Sequence, residues 1–366
     1  MVVCRRFEVA LLVAALPACL AASPSQARYS PKKAIWGPAY VNGVSQFPRY
    51  RELGVGIYEQ SMSWANVAPV RPRHPRNPRD PAYHWPTELV RAVVAAQRNG
   101  MRVALEIIGA PPWSNGGRPW NWAPRRPSDF ANFAYAASRR FPGVHLWLIW
   151  GEPSRQPNFM PLVRAPTGTR LTPAEASAPR RYARLLDAAY GELKRASRRN
   201  QVVGGMTYTT GDISAWQWIP YMRLPNGLPP RMDLYGHNPF TWRAPDFGAA
   251  PSCCGLSDFN DLPRLRQLIN RNLRRRGQAP LRLFLSEFFL PTAPDSEINV
   301  WVDPPVQAQW ISSILAIVRG TPWIAALGWI HFYDDPPDPG GARVSHGGLI
   351  YYDGTPKPGY YAFRDG

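Results

Sequence analysis

The stretch 146-LWLIWGEPS-154 combines an unbroken apolar run with an abrupt stop. A run of Leu, Trp and Ile without polar alternation is typical of a strand buried on both faces, as in a parallel sheet. Pro153 has no N–H to give to a sheet ladder, so we expect pairing to end beside Glu152. The stretch therefore predicts a fully buried parallel strand that carries a carboxylate to its C-terminal end.

Seven further segments of the same kind are spread along the chain, and with 144-VHLWLIWGEP-153 they make eight candidate strands. They are 34-AIWGPAYV-41, 54-GVGIYEQSMSW-64, 101-MRVALEIIGAPPW-113, 201-QVVGGMTY-208, 232-MDLYGHNPF-240, 281-LRLFLSEFF-289 and 324-IAALGWIHF-332. The segments between them carry apolar residues at helical spacing. We predict helices over 86–100, 129–141, 172–197 (with a break near Pro179), 262–277 and 306–320.

Eight buried strands alternating with helices predict an α/β protein with a single (β/α)8 TIM barrel with loop insertions. A doubly wound open sheet is the alternative. Such sheets usually carry a glycine-rich phosphate loop after the first strand, and this chain has none. The Pro-Arg stretch around 69–81 is interpreted as a loop within the second β/α unit, so residues 28–366 are expected to form one domain.

Residues 1–27 have the pattern of a secretory signal peptide. A basic start precedes the apolar run 9-VALLVAALPACLAA-22, which is too short to span a bilayer, and small residues before position 28 fit cleavage after Ala27. An uncleaved anchor and a lipoprotein signal at Cys19 are alternatives, and Pro17 fits neither well. We therefore expect a secreted, extracellular protein with no later membrane span.

The chain has a formal net charge of +18, mostly from arginine. This charge favours anionic partners such as a cell-wall polymer, but no recognised nucleic-acid-binding module supports a nucleic-acid partner. Cys253 and Cys254 remain after cleavage and form either a vicinal disulfide or two free thiols. No second Cys or His pair stands at ligand spacing, so we predict no metal and no cofactor, and we expect a monomer.

Two glutamates end strongly apolar strands: Glu152 ends the fourth and Glu287 the seventh. The active sites of (β/α)8 barrels lie at the C-terminal ends of the strands. Strand alternation is expected to place each glutamate on the same side as the residues two and four positions before it. If those sides face the axis, the two carboxylates converge, as glycosidic bond cleavage requires. Solvated or salt-bridged carboxylates are the alternative.

These segments resemble those of clan A glycoside hydrolases, near families 39 and 5. The segments 147-WLIWGEP-153 and 286-SE-287 match the positions of the clan's acid/base and nucleophile. The third-strand end 109-GAPPW-113 and the tail 347-GGLIYYDGTPKPGYYAF-363 are also similar, so the resemblance covers most of the chain after the signal. It implies a retaining hydrolase of oligo- or polysaccharides, with Glu152 as acid/base and Glu287 as nucleophile.

Two positions depart from the clan pattern. Gly151 stands where the clan usually has an Asn that donates to the sugar 2-hydroxyl, and Glu59 stands where many members have an Arg that helps hold the nucleophile ionised. These changes point to an altered substrate, a rewired site, or weak or lost activity. A carbohydrate-binding pseudoenzyme and a basic cell-wall-associated protein are therefore alternative functions.

Five further residues are candidates for substrate binding. His237 ends the sixth strand and either contacts the nucleophile or a sugar, or is a buried structural histidine. Asn238 is a possible replacement for the amide lost at position 151, and Tyr208 ends the fifth strand. Trp113, on a loop with Trp120 and Trp122, either stacks on a sugar or packs within the loop. The resemblance places the fifth candidate, Trp329, under the reacting sugar.

Overall fold

The computed structural model describes residues 29–296, 298–338 and 344–366. The predicted signal peptide, residues 1–27, lies outside the described residues. Within the described part of the chain, no helix is both long and apolar enough to cross a membrane.

Eight parallel strands close into a barrel. In chain order they are β1 (Ser30–Trp36), β2 (Val55–Ser63), β3 (Arg102–Ile108), β4 (Leu146–Ile149), β5 (Gln201–Tyr208), β6 (Leu234–Asn238), β7 (Arg282–Phe288) and β8 (Ile324–Trp329). Each strand pairs with its neighbours in sequence, and β8 pairs with β1 to complete the ring. The predicted (β/α)8 architecture is confirmed.

Helices occupy the connections between the strands. They are α1 (Phe47–Glu52), α2 (Trp64–Val67), α3 (Thr87–Arg98), α4 (Pro112–Asn115), α5 (Pro127–Arg140), α6 (Ser177–Ala196), α7 (Ala215–Tyr221), α8 (Leu262–Leu273), α9 (Pro304–Gly320) and α10 (Pro358–Asp365). A hairpin of Tyr40–Val41 with Val44–Ser45 and a 3-10 turn at Phe259–Asp261 complete the structure. The five predicted helical segments correspond to α3, α5, α6, α8 and α9.

The predicted break near Pro179 is wrong. Helix α6 begins at Ser177, so Pro179 lies in its first turn, where its missing N–H has no helical partner to lose. Thr172 and Glu175, at the start of the predicted segment 172–197, lie one turn earlier. There the Thr172 N–H donates to Glu175 Oε2 at 2.7 Å. These two residues close a turn that leads into the helix.

The barrel interior has an apolar lower part and a polar upper part. The lower part is one buried cluster contributed by all eight strands: Ala34, Ile57, Ala104, Leu146, Leu148, Val203, Met206, Leu234, Phe284 and Ala326. Toward the C-terminal ends of the strands follow four polar side chains that are at most 4% exposed: Glu59, Glu106, Asn238 and Ser286. The polar upper part forms the floor of the barrel mouth.

Strand β4 is shorter than predicted, and the backbone just after it takes a left-handed conformation. It ends at Ile149 rather than at Pro153, although the Trp150 N–H still donates to Ile107 O at 2.9 Å. Trp150 has φ +64°, in the left-handed region, so its ring leaves the barrel and packs on Phe159. The expected placement of Trp150 on the same side as Glu152 is therefore wrong.

The alternation expected for β7 is also wrong. Phe284 belongs to the interior cluster, whereas Leu283 and Leu285 pack in the layer between strands and helices. The pairing with β8 then slips by one residue between Leu285 and Phe288. This irregularity, like a β-bulge, interrupts the alternation immediately around Glu287.

The closing tail is held by a buried lysine. Lys357 is 0% exposed, and its Nζ donates to Asp334 Oδ1 at 2.7 Å and to Thr292 Oγ1 at 2.8 Å. A buried ammonium needs such partners, and here they link the tail to the loops that follow β7 and β8. The lysine of the 347–363 motif thus has a structural role.

Candidate active site

Glu152 lies at the mouth of the barrel, 6% exposed, and its carboxylate accepts three hydrogen bonds. Arg155 Nη1 donates to Oε2 at 2.5 Å, and Asn158 Nδ2 donates to the same oxygen at 3.2 Å. Asn238 Nδ2 donates to Oε1 at 3.0 Å. Every partner is a donor, so the arrangement matches a carboxylate rather than a carboxylic acid.

Asn238 connects Glu152 to the strand that carries Glu287. It ends β6 and is fully buried, and its NH2 group donates to Glu152 while its Oδ1 accepts the Glu287 backbone N–H at 3.2 Å. One side-chain amide therefore holds the ends of β4 and β7 together. The two predicted catalytic residues and Asn238 come together at the mouth.

Arg155 is a cation of the site that the sequence did not identify. Its guanidinium lies over the Tyr208 ring, 4.5 Å from the centroid. Burial lowers the pKa of Arg155, but the charge of Glu152, with contributions from Tyr208 and Glu287, outweighs this effect and leaves the pKa above its ordinary value. The sequence signal for Arg155 is its position three residues after Glu152. Because β4 ends at Ile149, that position lies in the loop at the mouth.

Gly151 is small because a carboxyl group occupies the space beside it. A Cβ placed on Gly151 would lie 2.8 Å from Glu106 Oε1. Glu106 is 4% exposed, and the Ser61 hydroxyl donates to its Oε2 at 2.8 Å. Among the described residues no donor reaches Oε1. Burial raises the pKa of Glu106 to about 7, against the Ser61 hydrogen bond and with a further increase from Glu152.

Glu59 is buried at the position where the clan pattern has an arginine. It is 1% exposed, and the Ser286 hydroxyl, in the residue before Glu287, donates to its Oε2 at 2.8 Å. Burial raises its pKa well above the usual carboxyl value, so Glu59 supplies no positive charge to the site. Arg155 is near enough to Glu287 for that carboxyl to raise the pKa of its guanidinium. A cation therefore reaches the mouth from β4 instead of β2.

His237 matches the structural alternative. It is 0% exposed; its Nδ1 lies 2.8 Å from Thr207 Oγ1 and its Nε2 2.8 Å from Ser257 O. Burial lowers its pKa to about 4, so the ring is neutral, donating from Nε2–H to Ser257 and accepting from Thr207 at Nδ1. With both nitrogens used, the expected contact to the nucleophile or a sugar is absent.

The predicted tryptophans do not present a free ring face at the mouth. Trp329 is 1% exposed, its Nε1 donates to Gly347 O, and its ring contacts Phe363, so its observed contacts are those of packing. Trp113 packs edge-on against Trp64 and donates to Ala68 O at 2.8 Å. Its contacts are those of loop packing.

A cavity of about 900 Å³ lies beside Glu152 on the β3–β5 side of the mouth. Its walls include two indoles, two arginines and a carboxylate: Trp120, Trp122, Arg155, Arg164 and Asp212. Trp120 is 47% exposed. Of the three tryptophans on the loop after β3, Trp120 and Trp122 therefore have surfaces available to a ligand.

The described residues contain no group of three or more His, Cys, Asp or Glu side chains arranged to hold a metal ion. Cys253 and Cys254 are exposed free thiols in the loop after β6, with their Sγ atoms 2.7 Å apart. The vicinal disulfide is therefore not formed in this structure.

The chain is similar to solved structures of glycoside hydrolases. A family 39 glycoside hydrolase from Bacteroides cellulosilyticus WH2 matches 92% of this chain with a TM-score of 0.66 at 16% identity. The fold is shared with family 39 glycoside hydrolases. A glucosidase from Croceicoccus marinus matches 93% (TM-score 0.62, 13% identity), and a monomeric β-xylosidase from Caulobacter crescentus CB15 matches 91% (TM-score 0.59, 15% identity).

The matched region covers about two thirds of those proteins: 64%, 66% and 67% of their respective chains. No sequence-family model matches the chain, and no curated protein is similar to it in sequence. At these identities the similarity establishes the fold.

Proposed function

We propose that this protein is a secreted, retaining glycoside hydrolase that cleaves O-glycosidic bonds of an oligo- or polysaccharide, with Glu287 as nucleophile and Glu152 as acid/base. The observation that carries the proposal is the Asn238 bridge, which joins the Glu152 carboxylate to the Glu287 backbone at the barrel mouth. Two carboxylates on β4 and β7 of a (β/α)8 barrel suit double displacement. Similarity to structures described as glycosidases supports the same chemistry.

In the first step Glu287 attacks the anomeric carbon and forms a glycosyl-enzyme ester, while protonated Glu152 gives its proton to the departing glycosidic oxygen. In the second step Glu152, now a carboxylate, removes a proton from water, which attacks the same carbon and releases Glu287. Two inversions return the original anomeric configuration. Asn238 positions Glu152 for both steps.

The shape of the mouth favours a substrate of several sugar units. Besides the cavity next to Glu152, a second cavity of about 740 Å³ lies at the ends of β1 and β8, where Trp36 and Tyr333 are among its walls. In the closed ring β8 is four strands away from β4. Cavities at two sides of the mouth suit a chain that crosses it.

Replacing the nucleophile tests the proposal. Glu287→Ala is expected to abolish hydrolysis of activated aryl glycosides, and azide is expected to restore turnover by forming a glycosyl azide of inverted configuration. Glu152→Ala with azide should instead give a product of retained configuration. If Glu287→Ala and Glu152→Ala both retain hydrolysis, or if azide gives each variant the product of the other configuration, Glu152 and Glu287 do not have these roles.

A carbohydrate-binding protein without catalysis is the second candidate, favoured by the ion pair between Arg155 and Glu152. A guanidinium at 2.5 Å opposes the protonation that an acid requires. If wild-type protein binds oligosaccharides saturably but hydrolyses no aryl glycoside across a broad panel, this second function replaces the first. Steep salt dependence of binding to wall polymer, without a saturable sugar site, would indicate the basic wall-associated protein.

A further inference from the structure

The pairing of Arg155 with Glu152 creates a problem for the first catalytic step. Glu152 must carry a proton to assist the leaving group. Its Oε2, however, accepts a hydrogen bond from Arg155 Nη1 at 2.5 Å, and all three of its hydrogen-bond partners are donors. The arrangement holds the residue as an anion while the mouth is empty. Proton uptake therefore requires Arg155 to find another anionic partner.

Arg155 is placed to find that partner in solution. Its side chain is 38% exposed, and it forms part of the wall of the 900 Å³ cavity. The Tyr208 ring supports the guanidinium plane from one side, leaving its edge available for two parallel hydrogen bonds to a planar anion. The cation is therefore both accessible and oriented.

In the proposed function Glu152 protonates the leaving oxygen, and the cavity adjoins Glu152 through Arg155, so the cavity is assigned to the leaving-group side of the scissile bond. Indole faces at Trp120 and Trp122 suit the sugar ring of the departing unit. An anionic substituent on that unit would meet Arg155.

We propose that Arg155 recognises an anionic group on the leaving saccharide and, by transferring to it from Glu152, releases Glu152 to take up the proton needed for catalysis. The proposal rests on the proposed function for its catalytic part. The substrate class is an acidic saccharide carrying a carboxylate, sulfate or phosphate on the unit released.

The charges around the pair support this exchange. The groups that act on Arg155 are Glu152 after β4, Tyr208 on β5 and Glu287 on β7. Glu106 on β3 adds a carboxyl group that is close enough to Glu152 for the Glu152 charge to raise the Glu106 pKa. Once Arg155 has moved to a ligand, the Glu152 carboxylate has lost the cation that balances its charge, and proton uptake neutralises it.

Arg164, the other arginine in the cavity wall, has a partner of its own. It forms an ion pair with Asp212, Nη2 to Oδ1 at 2.6 Å. Asp212 also accepts the Gln156 backbone N–H at 2.7 Å, which fixes the chain just after Arg155. The cavity therefore combines one arginine committed to structure with one that is paired to the predicted acid.

Aryl glycosides with matched leaving groups test the recognition. The pair is a glycoside of a carboxyphenol and its carboxamide analogue, with sulfonate and phosphate analogues to distinguish the anions. Wild-type kcat/KM should favour the anionic member by about tenfold or more. Arg155→Gln should reduce the ratio below about threefold, and Arg155→Lys should keep part of it. Arg91→Gln removes one surface charge outside the cavity and should leave the ratio unchanged.

Proton uptake provides a readout that does not depend on turnover. Oligogalacturonate and its neutral methyl ester are titrated into the Glu287→Gln variant by calorimetry, in two buffers of different ionisation enthalpy. Binding of the acid form should take up close to one proton, and binding of the ester close to none. Adding Arg155→Gln should abolish the uptake.

The outcomes separate this inference from the proposed function. If hydrolysis depends on both glutamates but the anionic preference and proton uptake survive Arg155→Gln, the inference is overturned and the hydrolase stands. If no glycoside is hydrolysed but proton-linked binding depends on Arg155, acid recognition stands and the hydrolase does not. If Glu287→Gln and the double variant Glu287→Gln/Arg155→Gln each bind the acid and the ester equally, the recognition of the anion by Arg155 is overturned.

Discussion

Glu106 Oε1 lies 2.8 Å from the position that a Cβ on Gly151 would occupy, so these two residues share one space at the end of β4. A side chain at position 151 and the Glu106 carboxyl exclude each other. The glycine and the buried glutamate are therefore a matched pair. An asparagine at position 151, as in the clan pattern, requires a smaller residue on β3.

Gly151→Asn is expected to lower the free energy of unfolding by about 1–3 kcal/mol, because the new side chain overlaps Glu106. In the double variant with Glu106→Ala, part of that loss should be recovered, since the truncation opens the space. Urea unfolding of the wild type, both single variants and the double variant gives the coupling energy. Additive effects within about 0.5 kcal/mol would mean that the two residues do not compete for space.

The part of the stability that comes from Glu106 is expected to fall as the pH rises from about 4.5 to about 7, while His237, whose pKa burial lowers to about 4, contributes in the opposite direction. Folding raises the pKa of Glu106 from its ordinary value of 4.5 to about 7, so the folded state favours the protonated form. The contribution is fully present below 4.5, is lost as the pH rises through about 7, and amounts to about 3 kcal/mol. The difference between the wild type and Glu106→Gln in urea unfolding, at intervals between pH 4 and pH 8, isolates this contribution.

Glu106→Gln should remove the Glu106 contribution, because an amide does not titrate, and should leave the opposite contribution of His237. Glu59 has a pKa shifted in the same direction, so the difference from the wild type should grow when Glu59→Gln is added. An unchanged slope in the double variant would show that other groups cause the pH dependence.

Asn238→Ala is expected to lower kcat/KM by about ten- to hundredfold, since it removes a hydrogen bond to the Glu152 carboxylate and the acceptor for the Glu287 N–H. Asn238→Asp keeps the shape but places a like charge beside Glu152, so it should lose at least as much activity. Steady-state kinetics on an aryl glycoside measure both effects. Asn132→Ala, on α5, is the control; a similar loss there would indicate a general effect of truncation.

Trp120→Ala and Trp113→Ala should separate ligand binding from packing. Trp120 is 47% exposed in the cavity, so its loss should raise KM for an oligosaccharide about three- to tenfold with little change in stability. Trp113 packs on Trp64 and donates to Ala68 O, so its loss should reduce stability by about 3 kcal/mol. Thermal unfolding and KM are measured on both variants. If Trp113→Ala raises KM and Trp120→Ala lowers stability instead, Trp113 is the ligand-binding residue and Trp120 the packing residue.

The barrel was predictable because its strands are buried on both faces. Runs such as 146–149 lack polar alternation, and their number and spacing left few architectures. The positions of Glu152 and Glu287 followed from the rule that strand ends form the mouth. These inferences need only the order of the elements along the chain.

The local geometry was not predictable in the same way. The outward turn at Trp150 depends on a left-handed backbone, and the slip before Phe288 depends on how β7 pairs with β8. Glu106 lies inside a segment interpreted as apolar, and its importance appears only when it meets Gly151 from the neighbouring strand. Contacts between strands decide these details, and a single sequence does not display them.

The side-chain amide of Asn238 also provides NMR signals that report on the site. Its NH2 group points at a carboxylate and its carbonyl at an N–H, so rotating the amide by half a turn would set oxygen against oxygen at one end and hydrogen against hydrogen at the other. The two protons on its nitrogen therefore experience different surroundings. Their NMR shifts should register each change of charge on Glu152, so this one amide reports directly on the protonation of the Glu152 carboxyl.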